Sequence, residues 1–115
     1  MNEPADARRS PRYACHGPIQ FRINKWEIKG KIINLCLEGC LIRPTREFGL
    51  EEGDEFNLRF QVNGLSFRVR AIVRHVGKND TIGVEILRLS GRVQAQLREL
   101  LEELADAQPQ LLKSR

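Results

Sequence analysis

The sequence predicts a mainly β fold: a six-stranded antiparallel β-barrel with one C-terminal α-helix packed against it. Three observations carry this expectation. Apolar and polar residues alternate through most of residues 13–86, the period of a half-buried strand. Asn63-Gly64 stands between two alternating runs, and both central residues of a type I′ hairpin turn need positive φ, which Asn and Gly supply most readily. From Ser90 onward the apolar period lengthens to that of a helix. About six strands followed by a single helix read as a barrel with one helix laid on it.

The elements follow in order. Residues 1 to about 12 show no apolar periodicity and hold Pro4, Pro11 and the run Arg8-Arg9-Ser10-Pro11-Arg12. The expectation is a flexible tail over residues 1–6, then a domain over 7–106 that includes an N-terminal arginine arm. Ile19, Phe21 and Ile23 alternate with Gln20 and Arg22, and Asn24-Lys25 offers a turn. Trp26, Ile28 and Ile32 then share one face, with Glu27, Lys29 and Lys31 on the other. A short strand over 40–43 meets Pro44, and a charged, Gly-containing loop covers 45–53. Phe56, Leu58, Phe60 and Val62 alternate with polar residues, and after Asn63-Gly64 the inward set continues as Phe67, Val69, Ala71 and Val73. Lys78-Asn79-Asp80 turns the chain into a strand over 81–86. Val93, Leu97, Leu100, Leu101 and Leu104 form one helical stripe, with Ser90 as N-cap and Pro109 past the end. A flexible tail is expected over 107–115.

Composition narrows the function. The chain is 41% hydrophobic and 30% charged, as an ordinary globular domain is, and it lacks the roughly 18 consecutive apolar residues that a membrane helix needs. Its first six residues are polar rather than basic then apolar, unlike a secretory signal. Three cysteines without a Cys-x-x-Cys pair point to a reducing, cytoplasmic setting. A net charge of +4 suits a small anionic ligand or a local basic patch better than a protein tiling duplex DNA; neither DNA binding nor membrane insertion is expected.

Catalytic constellations are missing from the sequence. There is no Gly-x-Ser-x-Gly, no phosphate-binding Gly-rich loop and no His-Glu-x-x-His. His16 follows Cys15, and neighbours on a strand point to opposite faces, so they make no thiolate–imidazole pair. Cys15, His16, Cys36, Cys40 and His75 lack the paired spacing of a zinc site, and the cysteines are expected to pack as small hydrophobes. Cys36 and Cys40, four apart along a strand, would stand ~13 Å from each other, too far for a disulfide unless a tight bend at Gly39 brought them together. No enzyme, metal or cofactor is expected.

Two features remain. Arg8, Arg9 and Arg12 sit on an arm that Pro11 keeps out of a helix. A guanidinium fork pairs bidentately with guanine O6 and N7, clamps phosphate and stacks on a base, so such an arm suits a guanine nucleotide lying on the barrel. About twenty residues later comes Asn34-x-Cys36-x-x-Gly39, where Asn offers an amide donor and acceptor and Gly permits close backbone approach.

Arg8-x-x-x-Arg12 followed by Asn34-x-Cys36-x-x-Gly39 resembles the pattern of the PilZ domain family, bacterial receptors for cyclic di-GMP: R-x-x-x-R, some twenty to thirty residues, then [D/N]-x-S-x-x-G. Gly83-Val84-Glu85-Ile86 is similar to that family's late strand, and the resemblance runs from about residue 7 to 105. It implies a cyclic di-GMP-binding receptor or adaptor that relays the second messenger to a downstream effector protein controlling motility or biofilm formation. It also implies that Arg8, Arg9 and Arg12 grip guanines and phosphates while Asn34, Cys36 and Gly39 form the barrel side of the pocket. Cys36 departs from the family's serine. Two alternatives stand beside this reading. One is a PilZ-like interaction module that has lost the nucleotide, which Cys36 favours. The other is a small nucleic-acid-binding barrel, supported by Arg68, Arg70 and Arg74 and opposed by a 6% aromatic content.

Overall fold

The computed structural model describes residues 10–46 and 48–108. The expected tail 1–6, Arg8, Arg9 and residues 109–115 lie outside them. The elements are β1 (Tyr13–Ile23), β2 (Trp26–Leu35), β3 (Gly39–Pro44), β4 (Glu55–Val62), β5 (Leu65–Val76), β6 (Ile82–Leu87) and α1 (Gly91–Asp106). The strands close into the expected six-stranded antiparallel barrel, in the order β1-β2-β3-β6-β5-β4. Closure between β1 and β4 runs through Ile19↔Phe60, Gln20↔Arg59 and Phe21↔Leu58.

Alternation decides which side chains fill the interior. Phe56, Leu58, Phe60 and Val62 on β4 and Phe67, Val69, Ala71 and Val73 on β5 are all buried, with the residues between them polar and facing out except the half-buried Ile72. Two ring pairs stack inside, Phe21 on Phe56 at 4.1 Å and Phe60 on Phe67 at 5.1 Å, each worth about 0.5–1.5 kcal/mol beyond the area they bury. Asn63 (φ 53°) and Gly64 (φ 81°) both take the left-handed conformation of a type I′ turn.

The helix begins at Ser90, whose Oγ accepts a hydrogen bond from the Val93 N–H at 3.3 Å. This satisfies one of the otherwise orphaned donors of the first turn. Leu97, Leu100 and Leu104 join the barrel's apolar cluster, while Val93 and Leu101 are half-buried at its margin. Gln108 ties the region after the helix to the barrel, its Nε2 donating to the Ala14 carbonyl at 2.9 Å.

Trp26 departs from the expected inward face. It shares a face with Ile28, which is buried, yet is 61% exposed and stands edge-on to Phe48. The closing ladder reaches Phe21, opposite Ile28. Trp26 therefore lies beyond the last rung, where no strand stands across the barrel to cover it.

Candidate ligand site at the start of β1 and end of β2

Arg12, Asn34, Cys36 and Gly39 come together at one end of the barrel. Arg12 leads into β1, where Tyr13 pairs with Leu35 and Ala14 with Asn34. The turn from β2 to β3 is held by the Cys36 N–H donating to the Gly39 carbonyl at 2.9 Å. Gly39 then opens β3 opposite Glu85 of β6.

A bulge sets the direction of Asn34. Ile32 (1% exposed) and Leu35 (0%) both point into the core although they are three apart, which regular alternation forbids. The register against β3 slips between Ile32 and Asn34, and the register against β1 slips between Ala14 and Gly17. The extra residue moves Asn34 off the interior face, the re-aiming that bulges perform beside functional sites.

The site holds unsatisfied polar atoms. Asn34 Oδ1 and Glu38 Oε1 are both buried without a hydrogen-bond partner among the described residues, a condition that costs about 1–3 kcal/mol per group. The other Glu38 oxygen accepts from Ser10 Oγ at 2.8 Å, pinning the base of the arm to the turn between β2 and β3. Arg12 is exposed, and its charge reaches the Cys40 thiol below. Orphaned acceptors beside a guanidinium suit a ligand that carries both N–H donors and an anion. Ser10 and Glu38 were not legible as site residues, because their contact joins segments twenty-eight residues apart.

Cys36 is 3% exposed and Cys40 equally buried, while Cys15 is half-buried; all three thiols are free. Cys40 joins the apolar core cluster and Cys15 packs against it, as the small hydrophobes the sequence suggested, while Cys36 is buried at the turn outside that cluster. Burial pushes the Cys40 thiol far up, Cys15 and Cys36 push it further, and Arg12 opposes them. Burial also raises Cys15 from 9.0 to about 11. A thiol whose pKa is raised by folding keeps its proton in the native state after the unfolded chain has released it. Stability attributable to Cys15 is therefore full below pH 9 and falls as pH rises towards about 11. Urea unfolding across that window should show a steeper loss for the wild type than for Cys15→Ala; parallel curves would refute the linkage.

Among the described residues no group of three or more His, Cys, Asp or Glu could hold a metal ion, and no helix is long and apolar enough to cross a membrane. A pocket of about 230 Å³ adjoins the site, where Ser10, Pro11 and Tyr13 face Leu101 and Ala105 of α1.

The family model "PilZ domain" matches residues 6–103. No curated protein sequence matches. Among solved structures, the PilZ domain with c-di-GMP of YcgR from Escherichia coli is similar at TM-score 0.72 and 18% identity, over 92% of this chain and 98% of that one. The Bacillus subtilis inhibitor of motility (MotI/DgrA) is similar at TM-score 0.73 and 17% identity, over 92% of this chain and 52% of that one. The PilZ domain of CeSA from a cellulose-synthesizing bacterium is similar at TM-score 0.67 and 14% identity, over 84% and 99%. At such identities the likeness is one of fold.

Proposed function

The chain belongs to the PilZ domain family, a family of cyclic di-GMP receptors, and on that premise we propose that it binds cyclic di-GMP at the start of β1 and the end of β2 and passes the signal to a protein partner in the cytoplasm. The observation that carries this reading is the orphaned Asn34 Oδ1 next to the Arg12 approach, since an unpaired buried acceptor is a standing cost that a ligand donor removes. In this reading Arg8, Arg9 and Arg12 close over the guanines and phosphates, while Asn34 and the Cys36–Gly39 turn form the floor. YcgR, which shares the fold, has been solved with c-di-GMP.

Calorimetric titration with cyclic di-GMP, with GMP as control, tests the proposal. The expected result is saturable binding at micromolar or tighter affinity, about −8 kcal/mol, selective over GMP. No heat at millimolar ligand, with an unshifted melting temperature, would leave the second reading: an interaction module that has lost the nucleotide. The observation favouring that reading is Cys36 in the family's serine position.

Substituting Cys36→Ser is expected to tighten the nucleotide up to about tenfold, because a hydroxyl hydrogen-bonds better than a thiol and one neutral bond contributes about 0.5–1.5 kcal/mol. Parallel titrations of both proteins check this; weaker binding by the serine variant would refute it.

A further inference from the structure

Strand register builds a second polar surface away from this site. Lys29 of β2 lies beside Gln20 of β1, Gln20 beside Arg59 of β4, and Arg59 beside Arg68 of β5. With strands ~4.8 Å apart, this row of outward side chains spans ~14 Å. Lys29, Arg59 and Arg68 are all exposed. Among the described residues, none of the three has a carboxylate within ion-pair distance, whereas Arg70 pairs with Glu55 at 3.2 Å and Arg74 with Glu85 at 2.7 Å. Arg59 and Arg68 stand directly opposite each other across the ladder, an arrangement of like charges that destabilises a sheet. Among the described residues no carboxylate forms an ion pair with either arginine, although Glu27 lines the neighbouring stretch of groove with both.

A groove of about 770 Å³ opens over the same row. Lys29, Arg59 and Arg68 contribute its cations, no Asp or Glu lines it, and the Ile19, Phe60 and Phe67 side chains beneath it are buried in the core. The groove continues past Arg22 to Glu27, whose carboxylate accepts from Gln20 Nε2 and so marks its acidic limit. Lys29 stands five residues before Asn34 on β2, ~16 Å along the strand, so this is not the nucleotide site.

We propose that this groove docks an acidic, extended polypeptide segment of a protein partner, with carboxylates on Lys29, Arg59 and Arg68. Charge complementarity selects the occupant. An extended segment presents alternate side chains on one face every ~7 Å, so two or three carboxylates fit within the row. A single-stranded nucleic acid needs aromatic platforms, and the groove has no exposed ring; Trp26 stands at the barrel end against Phe48. A membrane surface would meet a concave face whose apolar residues are all buried.

The test is fluorescence anisotropy of the full chain with a labelled peptide of about twelve residues, Glu at every second position and Ser between. Poly-uridylate RNA and phosphatidylglycerol vesicles serve as competing probes. Saturable peptide binding that weakens with salt is expected, and about tenfold weaker binding by the Arg59→Gln, Arg68→Gln double variant. That variant should melt no lower than the wild type, because it relieves a like-charge pair, and should titrate cyclic di-GMP as the wild type does. The proposal is overturned by absent peptide binding, by equal affinity in the double variant, or by RNA or vesicles binding more tightly than the peptide in an Arg59- and Arg68-dependent way. Because the readout is peptide binding, failure here leaves the nucleotide reading untouched, and the reverse holds.

Discussion

Arg12→Ala is expected to weaken cyclic di-GMP binding by about a hundredfold or more while leaving the fold intact. A guanidinium clamping guanine or phosphate makes two charge-assisted hydrogen bonds, each worth about 1.5–3 kcal/mol, and every 1.4 kcal/mol is a factor of ten in affinity. Even the low end of that range gives two orders of magnitude. Stability should move by less than about 0.5 kcal/mol, the usual scale for exposed positions, because Arg12 is exposed and makes no ion pair among the described residues. Arg12→Lys should recover only part of the loss, since an ammonium keeps the charge but not the fork. Arg8→Ala, at the other end of the Arg8-x-x-x-Arg12 spacing, is expected to behave alike. Calorimetry on the variants beside urea unfolding separates binding from folding. Affinity within threefold of wild type for Arg12→Ala would remove the arm from the site.

The contrast between what the sequence disclosed and what it concealed follows the range of the interactions. Alternation through Phe56–Val62 and the Asn63-Gly64 turn are local, so β4, β5 and the hairpin joining them were readable, as was the Ser90 cap. The bulge that frees Asn34 was not, because it depends on Leu35 and Ile32 competing for the same interior. Neither was the exposure of Trp26, which follows from where the β1–β4 ladder stops. Arg68 stood out as an outward arginine in the sequence, but its juxtaposition with Arg59 and Lys29 is a matter of cross-strand register, and register is set by tertiary packing. At the proposed nucleotide site, residue types and spacing pointed to Arg12, Asn34, Cys36 and Gly39. The partnership of Ser10 with Glu38, and the depth at which Cys36 lies, needed the folded chain.

Gly39→Ala should damage folding and binding together, and for one cause. A Cβ at this position would overlap the Val84 carbonyl oxygen and press on Glu85 Cα at 3.2 Å. Both belong to the backbone of β6, which cannot swing aside as a flexible side chain can. To make room, β3 must move away from β6 at the first rungs of their ladder, Gly39↔Glu85 and Cys40↔Val84. The Glu38 carbonyl, which accepts from the Ile86 N–H at 2.7 Å, is on the same turn and would be displaced with it. Forcing atoms into a packed site costs about 1–3 kcal/mol, and loss of a backbone hydrogen bond adds about 0.5–1.5 kcal/mol, so a total of several kcal/mol is expected. The same movement pulls the Gly39 carbonyl from the Cys36 N–H and shifts the turn that carries Glu38 and, through it, Ser10. Chemical denaturation should show a large drop in midpoint, and at temperatures where the variant remains folded its affinity for cyclic di-GMP should still be reduced. Gly91→Ala provides the contrast: nothing stands within 4 Å of a Cβ there, so it should leave both properties unchanged. If Gly39→Ala kept wild-type stability, the close approach of β3 to β6 would be wrong. If it lost stability but bound normally once folded, the turn would be a structural joint rather than part of the nucleotide site.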